Sequence, residues 1–432
     1  MLVLSAAREM YQRIFGRAQA SQLELTDVRY LNIVDHHQLL NCPLLLGTNV
    51  IANASDLFSR TAKRPIVTLS CSNITPSNSY LQSGLRFCGK VVPYFSAREY
   101  QDSVAYVTFR EYDFVERLKR LNRWNLFQER EQVFLIEYQQ FLNDLDYTRC
   151  ASHSDQITIG VDSCWPLLFE PQMRASLPPL IYLNAEELTG ICISRLLAED
   201  NFISAAILDS NFRDLVLDRF RGVVTAWDEA RHKGTHFFWR RMPGCARLLR
   251  MYAQGNELVP TDARFQSLRV PLERVALIDH LEQKEILPSV ALTATLLLSA
   301  GITPLVGPGS LLYYAALQRN WASVLSDSGF HSDAECFGGV RVDGLIAGAP
   351  LFFAKHLHRL KTLYAADVIM RGGVSKDYMK TILSRKFGDV LSVGCVDYYE
   401  LYRSYIPFDK WIDTRITMDE AASIVYGDTL DV

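Results

Sequence analysis

The chain lacks most of the motifs that announce a chemistry. No two of its nine cysteines form a Cys-x-x-Cys pair, which excludes a zinc ribbon and a thioredoxin-type redox motif. It has no Gly-x-x-x-x-Gly-Lys-Ser/Thr loop, no Gly-x-Gly-x-x-Gly turn and no Gly-x-Ser-x-Gly elbow, so P-loop, dinucleotide-fingerprint and α/β-hydrolase readings fail. Neither charge predominates: 45 basic residues face 48 acidic ones, the net charge is −3, and like charges never run beyond a few positions. An extended nucleic-acid surface is therefore not expected. Repeats, low-complexity tracts and obvious linkers are also missing. Met1 to Arg13 carries Arg8, Glu9 and Arg13 and no long apolar core, unlike a signal peptide. Dispersed, odd-numbered cysteines then read as free thiols in a reducing cytoplasm. One stretch invites a membrane reading, Val290 to Val306, but Thr293, Thr295, Ser299 and Thr303 lie in it, and Gly301 and Pro304 cut it. A buried helix followed by a turn is expected instead, with no membrane partner.

What is present is a globular composition, 49% hydrophobic and 22% charged over 432 residues, enough for two or three domains. Leu31–Val34 reads as a short strand that delivers Asp35. Apolar residues from Pro43 to Phe58 recur at helical spacing until Ala62-Lys63-Arg64-Pro65 breaks them, and Ile66–Cys71 is β-branched and strand-like. Strand, loop, helix and strand in that order form a βαβ unit, so the expected class is α/β, with a Rossmann-like parallel sheet core and an additional helical region. The expected division is residues 1–112 as the first part of that core, 113–230 as a mostly helical insertion or second domain, and 231–432 as the rest of the core with C-terminal helices. Further strands are expected at Val91–Tyr94, Val104–Phe109 and Ile157–Val161. Helices are expected over Phe114–Tyr147, from the N-cap Asn184 with Glu187 in the capping-box position, over Phe352–Met370, and from the capping box Thr417–Glu420.

The chemistry concentrates in Asp35-His36-His37-Gln38-Leu39-Leu40-Asn41-Cys42-Pro43. In a parallel sheet, ligands gather at the carboxyl ends of strands, where Asp35 and the hydroxyl- and amide-rich loop Ser72–Tyr80 both fall. Asp35, His36 and His37 are the catalytic candidates, with His37 as phosphate donor or general acid. Gln38, Asn41, Ser72, Asn73 and Asn78 are the binding candidates. A helix starting near Pro43 would turn its unpaired N–H groups toward an anion. Cys42 at that helix start reads as a buried inert thiol, with a nucleophile as the alternative. The basic cluster Arg231–Arg241 reads as a solvated turn before an aromatic strand. Asp279-His280, His356 and His358 offer other acid–base or metal candidates, although two histidines two apart on a helix diverge.

Two family resemblances attach to these residues. Ile33-Val34-Asp35-His36-His37 resembles the Asp-His-His signature of metal-dependent phosphoesterases, which implies a divalent metal held by Asp35 and His36. Those enzymes need aspartates on earlier strands, and here only Glu9, Glu24 and Asp27 precede the motif, so this reading is the less favoured. The segments His37–Leu44 and Val306-Gly307-Pro308-Gly309-Ser310-Leu311-Leu312-Tyr313 to Leu317 are similar to two segments of the cysteine-adding enzymes of bacillithiol biosynthesis. Ser310 or Leu311 stands where that family has glutamate. The resemblance implies a nucleotidyltransferase-like Rossmann core, with His37 and Gln38 near a nucleotide and Gly307, Gly309 and Tyr313 lining the same cleft. The expected function is thus a small-molecule biosynthetic enzyme, a ligase or transferase that binds a nucleotide such as ATP or a phosphorylated substrate. A metal-dependent phosphoesterase and a non-catalytic binding or assembly protein are the alternatives. Oligomeric state and any cofactor are left open.

Overall fold

The computed structural model describes residues 2–21, 25, 28, 30–33, 35–52, 54, 57, 64–78, 83–342, 348–356, 358–402, 408–410 and 416–427. Val34, Phe58, Ala62, Lys63, Ser79 and Tyr80, all part of the expectations above, lie outside the described residues. Four short strands, β1 (Tyr30–Asn32), β2 (Ile66–Ser70), β3 (Leu180–Asn184) and β4 (Thr303–Leu305), pair in the order β4-β1-β2-β3, every pair parallel. The class is α/β with a parallel sheet core, as expected. Six helices bear on the site: α1 (Leu2–Phe15), α2 (Pro43–Ile51), α3 (His153–Cys164), α4 (Ala185–Leu197), α5 (Val290–Ser299) and α6 (Pro308–Asp327).

Both faces of the sheet are covered, as a parallel sheet requires. Alternate residues explain how. Leu31, Val67, Leu69, Ile181 and Leu183 join α1, α4 and α5 in one apolar cluster. Ile66, Leu180 and Tyr182 turn to the other side and pack with Leu46 and Val50 of α2 and Ile157 and Val161 of α3. That second cluster continues through residues 349–426. A further core gathers residues 193–342 around Trp321 of α6 and the antiparallel strands Phe238–Arg241, Met251–Gln254 and Glu257–Pro260. Gly47 belongs to this packing and not to ligand binding, because a Cβ there would stand 1.7 Å from the Ala349 carbonyl oxygen. Among the described residues no helix is long and apolar enough to cross a membrane. Val290–Val306 forms α5 and then β4.

The structure departs from three local expectations. Ile157–Val161 is not a strand but part of α3, started by Ser152, whose hydroxyl accepts from Asp155 N at 3.2 Å. This helix is buried continuously from His153 to Val161, so it shows no polar face to betray its period. Val104–Tyr106 is a single 3₁₀ turn, because the Val104 and Ala105 N–H groups bond to Ile74 O and Ser72 O instead of a ladder. Phe352–Met370 is mostly a hairpin, Phe353–His356 with Arg359–Thr362, and only Ala365–Met370 is helical. The hairpin is held by the last helix, Met418–Tyr426: Thr362 N donates to Asp419 Oδ1 at 2.7 Å and Leu360 N to Ser423 Oγ at 2.9 Å. That helix begins with the expected capping box at Thr417 and Glu420.

Candidate functional site

The carboxyl ends of β1, β2 and β3 are tied together by buried polar side chains. Beyond β1, His36 continues the parallel ladder as a bridge to Cys71, with His37 N donating to Cys71 O at 2.9 Å and Cys71 N to Asp35 O at 2.8 Å. A turn then follows, with Leu40 in the left-handed region at φ 51°. Pro43 opens α2 as its first residue, where a missing N–H costs nothing. Because the chain is extended at 35–37, alternate side chains diverge. Asp35 and His37 are sealed inside, while His36 is half-buried and hydrogen-bonds the Asn78 side chain.

His37 has no exposed surface, and both ring nitrogens are engaged. Nδ1 meets Ser70 Oγ at 2.6 Å, and Nε2 meets Ser154 Oγ at 2.8 Å and Ser154 O at 3.0 Å. Its ring stacks on Tyr182 with centroids 5.7 Å apart. The Tyr182 hydroxyl donates to His36 O at 2.8 Å. Burial lowers the pKa of His37 to about 4, and that of His36 likewise to about 4. Both rings are therefore neutral near pH 7, and His37 can influence a ligand only through Ser154. This geometry does not suit the expected role of His37 as a direct phosphate donor or general acid.

From Ser154 the network runs outward. Asn184 Nδ2 donates to Ser154 Oγ at 2.9 Å, and Ser72 Oγ reaches Asn184 Oδ1 at 2.9 Å and Glu186 Oε2 at 2.8 Å. Glu186 also accepts from Ser72 N at 2.8 Å and from the Cys71 thiol at 3.1 Å. The same thiol lies 2.9 Å from Asn73 Oδ1. Burial raises the pKa of Glu186, and burial with the Glu186 charge holds Cys71 well above the ordinary thiol range. The network opens onto a cleft of about 500 Å³ lined by Tyr106, Ser154, Asn184, Glu186, Glu282 and Lys284 among others. A second chain lies under α2: Asn49 Oδ1 accepts from Asn32 Nδ2 at 2.6 Å and Thr68 Oγ1 at 2.7 Å, and Asn49 Nδ2 donates to Asp35 Oδ2 at 3.4 Å. Asp35 Oδ1 and both amide atoms of Gln38 have no hydrogen-bond partner among the described residues.

The structure thus gathers Asp35, His36, His37, Gln38, Ser72, Asn73 and Asn78 at one edge of the sheet. Asn41 points elsewhere, donating to Gly84 O at 3.1 Å and accepting from Arg86 N at 2.7 Å, and so anchors the hairpin of residues 84–93. Gly307 caps α6 just beyond β4, the neighbour of β1, and Gly309 lies in the first turn of that helix. Tyr313 donates to Ser310 Oγ at 2.8 Å, and it is the next residue, Tyr314, that is buried within the electrostatic reach of Cys71. Cys42 is buried at the start of α2. Asn184 caps α4 as expected, by accepting from the N–H groups of Glu186 and Glu187. Glu187 does not close a capping box, since its carboxylate takes Arg13 at 3.2 Å and Lys284 at 3.1 Å. His280 pairs with Glu285, and His356 lies exposed on the C-terminal hairpin. Among the described residues no three of His, Cys, Asp and Glu assemble as a metal-ligand set. Ser154, Tyr182, Asn184 and Glu186 complete the site without having been singled out for it, and the Asn184 cap was their one visible trace. No family model matches the chain, and no curated protein matches it.

Proposed function

We propose that this chain is a small-molecule biosynthetic enzyme, a ligase or nucleotidyltransferase-like transferase, that binds the phosphates of a nucleotide or phosphorylated substrate beside the β1–α2 turn and joins that substrate to a second one in the adjoining cleft. The carrying observation concerns the place where the strand order reverses, between β1 and β4, the position at which open parallel sheets bind ligands. Two helices, α2 and α6, begin there with proline in the first turn, no side-chain cap and no acidic residue in that turn. Their amino ends suit an anion. By contrast α4, on the far strand, is capped by Asn184 and carries Glu186 and Glu187, which repel one. In this reading the Gln38 amide and the His36–Asn78 pair meet the nucleotide, and His37 positions Ser154. The resemblance to the cysteine-adding enzymes bears on the fold more than on the reaction. Nine free cysteines support a reducing, cytoplasmic setting.

The test is thermal unfolding of the full chain with ATP, GTP, CTP, UTP or pyrophosphate at millimolar concentration, each with and without Mg²⁺. A ligand at 100 times its Kd stabilises by about 2.7 kcal/mol, a shift that is readily measured. No shift with any of the five overturns the nucleotide reading.

A further inference from the structure

The helix Glu129–Asn143 gives one face to the core and leaves the other bare. Leu135, Tyr138 and Leu142 are buried, Gln139 accepts from Val115 N at 2.8 Å, and Gln132 donates to Trp124 O and Phe127 O. At about 100° per residue, Glu129, Arg130, Val133, Ile136, Glu137 and Gln140 share an arc of about 120° on the opposite side, and all six are exposed. Val133 is 50% exposed at the centre of that arc, and Ile136 is 48% exposed at one margin. Leu121 and Leu126, in the connection that leads into the helix, are also exposed. Of the ten large apolar side chains exposed among the described residues, four therefore fall between positions 121 and 136. A single exposed apolar residue is ordinary, but a concentration of them marks a contact surface.

The charges on this face select what covers it. Arg130 and Glu137 lie together on the margin opposite Ile136, about two turns apart, and neither has an ion-pair partner among the described residues. A second copy laid antiparallel, with a two-fold axis beside Phe134 and Leu135, sets Val133 against Ile136 of the partner subunit and Ile136 against Val133 of the partner subunit. The same register sets Arg130 against Glu137 of the partner subunit, and symmetry makes that ion pair twice. A parallel arrangement puts the two charged margins on opposite sides of the contact and makes neither pair. The face is thus complementary to itself in one orientation. Its 15 residues span only about 22 Å, so the contact is smaller than the roughly 800 Å² per partner of a standard interface, and the association is weak and reversible.

We infer that the outer face of the helix Glu129–Asn143, around Val133 and Ile136, is a self-association surface on which a second copy of this chain binds antiparallel, held by two Arg130–Glu137 pairs. The inference does not rest on the proposed function, and it is tested without nucleotide.

The test is sedimentation velocity of the full chain from about 1 to about 500 µM, where a monomer–dimer equilibrium should appear with a Kd of about 10–100 µM, the range of small transient contacts. Ile136→Glu places a charge in the apolar centre and should weaken association about tenfold or more. Arg130→Glu and Glu137→Arg each set like charges opposite one another twice, and each should weaken it about tenfold or more. Mixed in equal amounts, these two variants restore opposite charges at both positions of a mixed dimer, so the mixture should associate about as tightly as wild type. All three side chains are exposed, and unchanged far-UV circular dichroism confirms that the variants fold. A wild type that stays monomeric to about 500 µM overturns the inference. So does a dimer that Ile136→Glu or the single charge variants leave intact, or one that mixing the charge variants fails to restore.

Discussion

Asp35→Asn separates the cost of a buried charge from the value of its shape. The carboxyl is 1% exposed at the end of β1. Burial raises its pKa from 3.8 to about 7, against the lowering pull of the Tyr182 hydroxyl, the Asn49 amide and the His36 backbone. In the unfolded chain the group ionises near its ordinary value, so between about pH 4 and 7 the folded state holds a proton that the unfolded state has released. The stability linked to this group is therefore complete below about pH 4, falls as pH rises and levels off above about 7. At about 1.4 kcal/mol per pH unit, wild type should lose about 2–3 kcal/mol between pH 5 and pH 8 from this group alone. Asparagine keeps an oxygen to accept from Asn49 and carries no charge at either pH. The variant should therefore gain on wild type by about that amount across the interval. Urea unfolding at both pH values, followed by tryptophan fluorescence and far-UV circular dichroism together, measures the difference, and coincident transitions license the comparison. Groups that titrate alike in both proteins cancel. A difference that stays constant from pH 5 to pH 8 would refute the claim that Asp35 is a buried, titrating acid.

Three further substitutions probe two neighbouring residues. His37→Phe keeps an aromatic ring but strips Ser70 and Ser154 of their ring partners and adds bulk to a fully buried site, which together should cost about 2–4 kcal/mol, and His37→Ala should cost about 4–6 by adding a cavity. Equal urea midpoints for His37→Phe and wild type would show that the network contributes no stability. Gln38→Met replaces a buried amide without partners by a side chain of similar shape. It should raise stability by about 1–2 kcal/mol while abolishing the nucleotide-dependent thermal shift, and a destabilised variant with that shift intact would remove Gln38 from the site.

The sheet was legible where local chemistry and tertiary context agree. Pro43 and Pro65 punctuate a short βαβ unit, and the run Ile66–Ser70 is buried on both faces, so its composition alone marks a strand. Legibility failed where burial erased the period. In α3 the run Ile157-Thr158-Ile159 has strand composition, yet it is helical because Ser152 starts the helix and the surrounding core covers every side. Phe353 and Ala354 are buried while Lys355 and His356 are exposed, a pattern that fits one side of a helix as well as the end of a hairpin. Only contact with the final helix, some sixty positions on, selects the hairpin.

The candidate site divides along the same line. Residues 35–38 and 72–78 announce themselves because imidazoles, amides and hydroxyls crowd next to strand-like runs. Their partners do not, since Ser154, Tyr182 and Glu186 look ordinary in sequence and acquire meaning only when β3 docks beside β2. That docking also reassigns roles within the first group. His37, the most suggestive residue in the sequence, becomes an interior strut because Ser70 and Ser154 take both its nitrogens. Glu186, two places beyond an N-cap, becomes the acid of the buried network because Ser72 and Cys71 arrive to hold it while Lys284 pairs with Glu187. A histidine with no exposed surface cannot touch a substrate, whatever its ring could do elsewhere, and His37 is such a residue. His37, beyond β1, braces Ser154, Ser154 braces Asn184, and Asn184 caps the helix that carries Glu186, so the order of this end of the sheet depends on side chains from three separate strands and helices.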